Sequence, residues 1–315
     1  MKSQRTNALQ CNACRKIDRA VAGGDHVDSS VFDYIRALQQ SLSQPEPLTL
    51  AIARQLSLLR DREAYLFTGF VVPGLYPHGE NDGPLGTLVL ARALQIAGVI
   101  PTIWVDPPLT DTAMWLAAEL SIDIPVRAID LMELAQDHHD PATAIAIEKP
   151  GSNSKNIMHT FDGIAIVSGS IPIDTLFANW HAAGTLTLGI GDRGNEIGFG
   201  ALHDEIAFHM PSTLHCQCGC GGGVVAATST QLLLPAAVSN WGAYGIAAAM
   251  ALLANDKRLL LTPTEEGRLL RVAAVRGCVD GIQRRGCYGV DGLSGETSVA
   301  VVREIQRIAL DGLTK

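Results

Sequence analysis

The sequence predicts a doubly wound α/β fold: a mostly parallel sheet with helices on both faces and a helical N-terminal lead-in. Three observations carry this. From Ala64 onward, short apolar runs alternate with longer stretches of helical periodicity. The punctuation suits crossover helices, with Pro84 opening one, Gly98 closing it and Gly184 closing a later one. The glycine-rich charged segments fall just after strand-like runs, where open α/β sheets place their ligands.

The elements follow in order. Residues 1–60 read as the helical lead-in. Val31–Leu42 has apolar residues at helical spacing behind Asp28-Ser29-Ser30, and Leu48–Leu59 repeats the pattern behind Pro45-Glu46-Pro47. Ala64–Val72 is a strand, Pro73–Gly83 a loop, Pro84–Ala97 a helix and Val99–Val105 the next strand, a βαβ unit whose crossover is right-handed. A helix at Thr112–Leu120, a strand at Ile124–Ile129, a helix at Leu131–Asp137 and a strand at Thr143–Ile147 continue it. The second half reads as a helix at Ile173–Ala183, a strand at Thr185–Ile190, another at Leu232–Val238 and a buried alanine-rich helix at Gly242–Ala254. Thr264–Arg276 and Glu296–Leu310 close the chain as amphipathic helices, with Thr264 and Ser294 expected at their starts. There is no internal repeat. The reading is one domain over 1–315, with the polar run Pro150–Lys155 marking a lobe boundary near 150–170 if there is one.

A chain of 315 residues is long enough for a sizeable core. A net charge of −8 without acidic blocks or basic runs points to a small molecule as partner, not nucleic acid or an anionic membrane. The N-terminal stretch is polar and lacks an apolar h-region, and no apolar run reaches the length of a membrane span, so the expected location is cytoplasmic. The sequence leaves oligomeric state open. Seven cysteines, an odd number, argue against a disulfide framework. The cysteine clusters are Cys11-x-x-Cys14 and Cys216-x-Cys218-x-Cys220; a structural zinc site shows two pairs with two to four residues between partners, and the second cluster has the wrong spacing, so these read as thiols near a loop.

The organising stretch is GIGDRGNEIGFG, residues 189–200, with five glycines around Asp192, Arg193 and Glu196. Gly189, Gly191 and Gly194 match the dinucleotide fingerprint. Asp192 and Glu196 put negative charge where a pyrophosphate would need none, so no organic cofactor is expected. Two further loops combine glycine with acid: His78–Pro84, carrying Glu80 and Asp82, and Glu148-Lys149-Pro150-Gly151. All three should face one crevice. Pooled, they offer Glu80, Asp82, Glu148, Asp192 and Glu196 against Lys149 and Arg193. Crowded carboxylates share protons or bind a hard cation, so Mg²⁺ or Mn²⁺ on Glu80, Asp82 and Asp192 is an expected ligand set. Asp82 can instead cap the helix opened by Pro84. Ser239 and Asn240 precede the alanine-rich helix, where they can cap it or contact a substrate carboxylate.

These same stretches resemble the D-glutamate cyclase family, whose members carry an acidic GDGGNEIGMG motif. The matching segments are TGF, GENDGPLG, AIEKPG, GDRGNEIGFG, VSNWGAYGIAAAM, VRGCVDG and VDGLSGE, in that order. The resemblance implies an α/β enzyme of cytosol or organelle that closes D-glutamate to 5-oxo-D-proline with loss of water. Arg193 stands where the family motif has glycine, Phe199 where it has methionine and Lys149 where arginine is frequent. Lys149 keeps the cation but loses the planar fork that grips a carboxylate in two places.

Lactam closure needs a neutral amine as nucleophile and a protonated leaving oxygen. On this reading Glu80, Asp82, Glu148, Asp192 and Glu196 move the protons, Lys149 or Arg193 holds the α-carboxylate, and Asn195, Ser239, Asn240, Gly191 and Gly194 complete the substrate cradle. Two other readings use the same residues. One is a metal-dependent phosphatase or related hydrolase, the other a small-molecule sensor without turnover.

Overall fold

The structure, a computed structural model, describes residues 2–42, 45–136 and 140–313. The helices α1 (Lys2–Val21), α2 (Ser29–Ser41) and α3 (Leu48–Ser57) lead into β1 (Glu63–Thr68), α4 (Pro84–Ile96), β2 (Ile100–Val105), α5 (Thr110–Glu119), β3 (Val126–Ala128) and α6 (Leu131–Gln136). Then come β4 (Thr143–Ile147), β5 (Met158–His159), β6 (Ala165–Ile166), α7 (Asp174–Ala183), β7 (Leu186–Gly191), α8 (His203–His209) and β8 (Leu232–Pro235). The chain closes with α9 (Ser239–Ala254), α10 (Pro263–Val275), β9 (Gly289–Val290), β10 (Leu293–Ser294) and α11 (Gly295–Gly312). Asp137, the expected end of the helix now seen as α6, lies outside the described residues.

Six strands form one parallel sheet in the order β3-β2-β1-β4-β7-β8. This is the doubly wound arrangement. The chain winds outward from β1 through β2 to β3, then returns to the other side of β1 with β4. The topological switch point therefore lies between β1 and β4, whose carboxyl ends open a crevice.

Alternation along the strands fills both faces. On one side Ala64 and Leu66 of β1, Ile145 and Ile147 of β4, and Leu188 and Ile190 of β7 pack with α4, α9 and the N- and C-terminal helices. On the other side Tyr65, Phe67, Ala144 and Ala146 pack with Phe177 and Trp180 of α7. The α4–α9 contact is close because Gly86 fits against the backbone at Asn240, where an added Cβ would lie 2.8 Å from Asn240 Cα.

Some details differ from expectation. The α10 cap is Thr262, not Thr264: its hydroxyl accepts from the Glu265 amide at 3.2 Å, and the Glu265 carboxylate accepts from the Thr262 amide at 2.7 Å. Pro263 fills the first helical position. This capping box makes Thr262→Ala cost about 1 kcal/mol in a urea titration. The helix α8 and the pairs β5–β6 and β9–β10 had no periodic signal, being too short to show one. Among the described residues no helix is long and apolar enough to cross a membrane.

Candidate active site

A cavity of about 170 Å³ opens at the switch point, lined by Glu80, Glu148, Asp192, Asn195, Glu196 and Asp291, with Arg193 and Arg284 at its walls. That volume is below the ~300–1,000 Å³ of drug-sized ligand sites. It suits a small metabolite.

Each acid is held by local backbone geometry. Glu148 directly follows β4 and takes the left-handed conformation, φ 47°, an uncommon state for a residue with a side chain. Its amide donates to Ile190 O of β7 and its Oε2 accepts from Ser239 Oγ at 2.5 Å. Gly83 makes room beside it, since a Cβ there would lie 2.6 Å from Glu148 Cβ. Glu196 folds back over its own turn. Its Oε2 accepts from the Gly194 amide at 2.8 Å, and a Cβ on Gly191 would lie 2.7 Å from that same oxygen. Gly194 itself has φ 102°. These two glycines therefore shape the carboxylate's position and need no contact with a ligand.

The dinucleotide reading fails on geometry. After Gly191 the chain doubles back so that Ile197 O would meet a Cβ on Gly189 at 2.4 Å. The next helix, α8, begins only at His203, with a single 3₁₀ turn before it, so no helix N-terminus receives a phosphate.

Glu80 faces the cavity from the loop after β1, and Gly281 is what admits it: a Cβ there would lie 1.6 Å from Glu80 Oε1. We expect Gly281→Ala to displace the Glu80 carboxyl and depress turnover, with little change in the helical circular-dichroism signal. Unchanged turnover would remove Glu80 from the site.

Burial in this pocket pushes Glu80, Glu148 and Asp192 well above the usual carboxylate range. Neighbouring carboxylates add to the effect, chiefly Asp291 on Glu80 and Glu196 on Glu148, while Arg193 opposes it at Asp192. Glu196 is raised by burial, against the pull of the Gly194 amide. Asp291 is pushed up to about 7, by burial first and then by the charge of Asp192, with Arg193 opposing. Groups so shifted bind their protons more tightly in the folded state than in the unfolded one. Their contribution to stability is thus complete below the ordinary carboxylate pKa of about 4 and is lost as pH rises through about 7 for Asp291. In chelator-treated protein the melting temperature should accordingly fall from about pH 5 to about pH 8 by more in the wild type than in Asp291→Asn. An identical slope for both would contradict the assignment.

The sequence-expected residues divide into two sets. Glu80, Glu148, Asp192, Arg193, Asn195 and Glu196 line the cavity. Arg193 Nε stands 3.1 Å from Asp192 Oδ2, and its guanidinium lies over the Phe161 ring at 4.5 Å. Asn195 Nδ2 donates to His159 O at 3.0 Å.

Asp82, Lys149, Ser239 and Asn240 lie behind that wall. Asp82 is fully buried and caps α9, not α4, accepting from the Ser239 and Asn240 amides at 2.8 Å each. Asn240 Oδ1 accepts from the Gly83 and Gly86 amides, so this side chain braces α4 against α9. Lys149 points away from the cavity: its Nζ lies 2.6 and 2.7 Å from the two Asp106 oxygens, with both side chains at 0% exposure. The expected carboxylate grip by Lys149 is corrected to a buried ion pair that fixes the loop after β4. The expected metal set changes likewise. Among the described residues, the acids that bring one oxygen each within 4.8 Å of one another are Glu148, Asp192 and Glu196, while the Asp82 oxygens accept from the α9 amides.

Asp291, Arg284, Tyr76 and Phe161 also line the cavity, outside the set of acids and cations that the glycine-rich loops supply. Asp291 has φ 50° and stands in the Asp-Gly turn of VDGLSGE. The signal there is the family resemblance of that segment, which by itself assigns Asp291 no role. The Asp280 carboxylate folds the segment inward by accepting from the Ile282, Gln283 and Gly292 amides.

Fold and site together define a doubly wound α/β protein with an acid-lined pocket at its switch point. A family model described as D-glutamate cyclase-like, C-terminal, matches residues 36–306, and the chain belongs to that family. It is similar to the mitochondrial D-glutamate cyclase of Homo sapiens, 29% identical over 227 residues, covering 63% of this chain and 34% of the human protein. The chain thus matches about a third of that relative's length.

Proposed function

We propose that this chain closes D-glutamate, or a closely related amino acid, to 5-oxo-D-proline with release of water. The observation that carries the reading is the juxtaposition of protonatable carboxyls, Glu148, Asp192, Glu196, Glu80 and Asp291, with the guanidinium of Arg193 in one small cavity. The family and the human relative's name agree with it.

In this reading Arg193 receives the substrate α-carboxylate, its guanidinium braced on Phe161. A carboxylate of the Asp192–Glu196 pair takes a proton from the substrate ammonium, freeing the nitrogen lone pair to attack the γ-carboxyl carbon. A protonated neighbour, held so by burial, donates to the departing oxygen. The C–N bond forms as a C–O bond breaks, and the two protons lost from nitrogen balance the water released. Holding the extended substrate bent supplies much of the rate gain.

A divalent cation fits the same donors. Glu148, Asp192 and Glu196 present carboxylate oxygens in one group, which suits Mg²⁺ or Mn²⁺. Bound there, the ion would polarise the γ-carboxyl group. The amino-acid substrate is the one partner this reading requires. Adding Mn²⁺ to chelator-treated protein should raise both the melting temperature and turnover, and Glu148→Gln should remove both responses. A metal-free enzyme with full activity would exclude the ion from the reaction.

A further inference from the structure

Beside the acid pocket, the structure gathers His159, Cys216, Cys218 and Cys220 so that one ligand atom from each lies within 4.8 Å of all the others. Spacing alone had argued against a metal here because it counted only the cysteines. The fourth ligand arrives from β5, 57 residues before the first cysteine. The Cys216 sulfur is 3.4 Å from both Cys218 and Cys220 sulfurs, and His159 Nε2 is 3.2 Å from Cys218 Sγ. A disulfide would need about 2.05 Å, and all three cysteines are free. A tetrahedral ion with Zn–S of about 2.3 Å and Zn–N of about 2.0 Å has edges of about 3.5–3.8 Å. The observed spacings are within a few tenths of an ångström of those edges.

The groups around the cluster are arranged as they are around bound zinc. His159 Nδ1 lies 3.1 Å from Ile157 O. A carbonyl can only accept, so the proton sits on Nδ1 and the Nε2 lone pair faces the sulfurs, the orientation that a second partner imposes on metal-binding histidines. Cys220 Sγ receives Asn153 Nδ2 at 3.3 Å and the Gly222 amide at 3.4 Å. Both donors would stabilise a thiolate. Gly219 and Gly221, with φ 70° and 76°, let the short loop coil so that alternate cysteines turn inward.

The geometry points to a structural Cys₃His zinc site formed by His159, Cys216, Cys218 and Cys220. Zinc is favoured over Mg²⁺ or Mn²⁺ by the soft sulfur donors, and four protein ligands leave no open position for catalysis. Binding exchanges the thiol protons for Zn–S bonds, with the imidazole remaining neutral. The ion would fasten the 216–223 loop to the 153–163 segment. Two existing bonds run parallel to it: Gln217 N to Gly163 O at 2.8 Å and Gln217 Nε2 to Asp162 O at 2.9 Å. Through the His159 carbonyl held by Asn195, and Phe161 under Arg193, it would steady one wall of the acid pocket.

The full chain, purified without chelator, should contain one zinc per molecule by elemental mass spectrometry. Cys220→Ser and His159→Ala should each lower that content at least about tenfold, and Cys287→Ser should leave it unchanged. Cobalt substitution of the wild type supplies a reading that needs no variant to fold: intense visible bands of tetrahedral cobalt with a thiolate charge-transfer band are expected. No zinc retained after reconstitution and desalting, zinc unchanged in Cys220→Ser, or weak octahedral cobalt bands without charge transfer would each overturn the site.

Discussion

Asp192→Asn and Glu196→Gln are each expected to lower turnover of D-glutamate by about 10²–10⁴-fold, the usual cost of removing a proton-transfer group. Both substitutions keep shape and hydrogen-bonding capacity, so the fold should survive. At Glu196 the replacement amide can still present an oxygen to the Gly194 amide now bound at 2.8 Å. At Asp192 the change removes the negative charge that stands 3.1 Å from Arg193 Nε, so KM for the amino acid should also move. Melting temperatures near wild type with turnover lost would place both groups in the reaction. Parent turnover in both variants would make the 191–200 loop a structural feature and send the search for acids to Glu80 and Asp291.

Lys149→Ala is expected to destabilise the protein by about 3–5 kcal/mol, because it strands the buried Asp106 carboxylate. Burial lowers the lysine and raises the aspartate, with their mutual attraction opposing both shifts. Asp106 also accepts from the Ile171 amide at 2.8 Å. Replacing the pair together, as Lys149→Met with Asp106→Asn, keeps an acceptor for that amide and should recover much of the loss in a denaturant titration. A Lys149→Ala protein of normal stability but raised KM would return this lysine to the substrate.

The sheet was legible because buried parallel strands read as unbroken apolar runs between periodic helices, as TAIAI at 143–147 does. The three acid loops were legible for a related reason: glycine and charge together after a strand have little use in a core. What local sequence could not reveal was direction. Glu148 and Lys149 are consecutive, yet one enters the crevice and the other crosses to Asp106 at the end of β2. Asp82 and Glu80 divide in the same way, the first drawn off by the positive end of α9. His159 was hidden by distance along the chain, and Asp291, although inside the matching segment VDGLSGE, joins the acids only when the chain is folded.

The most direct test of the proposed reaction is incubation of the purified chain with D-glutamate and L-glutamate in parallel, with and without Mn²⁺, followed by mass detection of the product. The account predicts a product lighter than glutamate by one water, formed from the D-enantiomer, increased by Mn²⁺ and absent with Glu196→Gln. No dehydrated product from D-glutamate with properly folded wild-type protein, under any of these conditions, would contradict it.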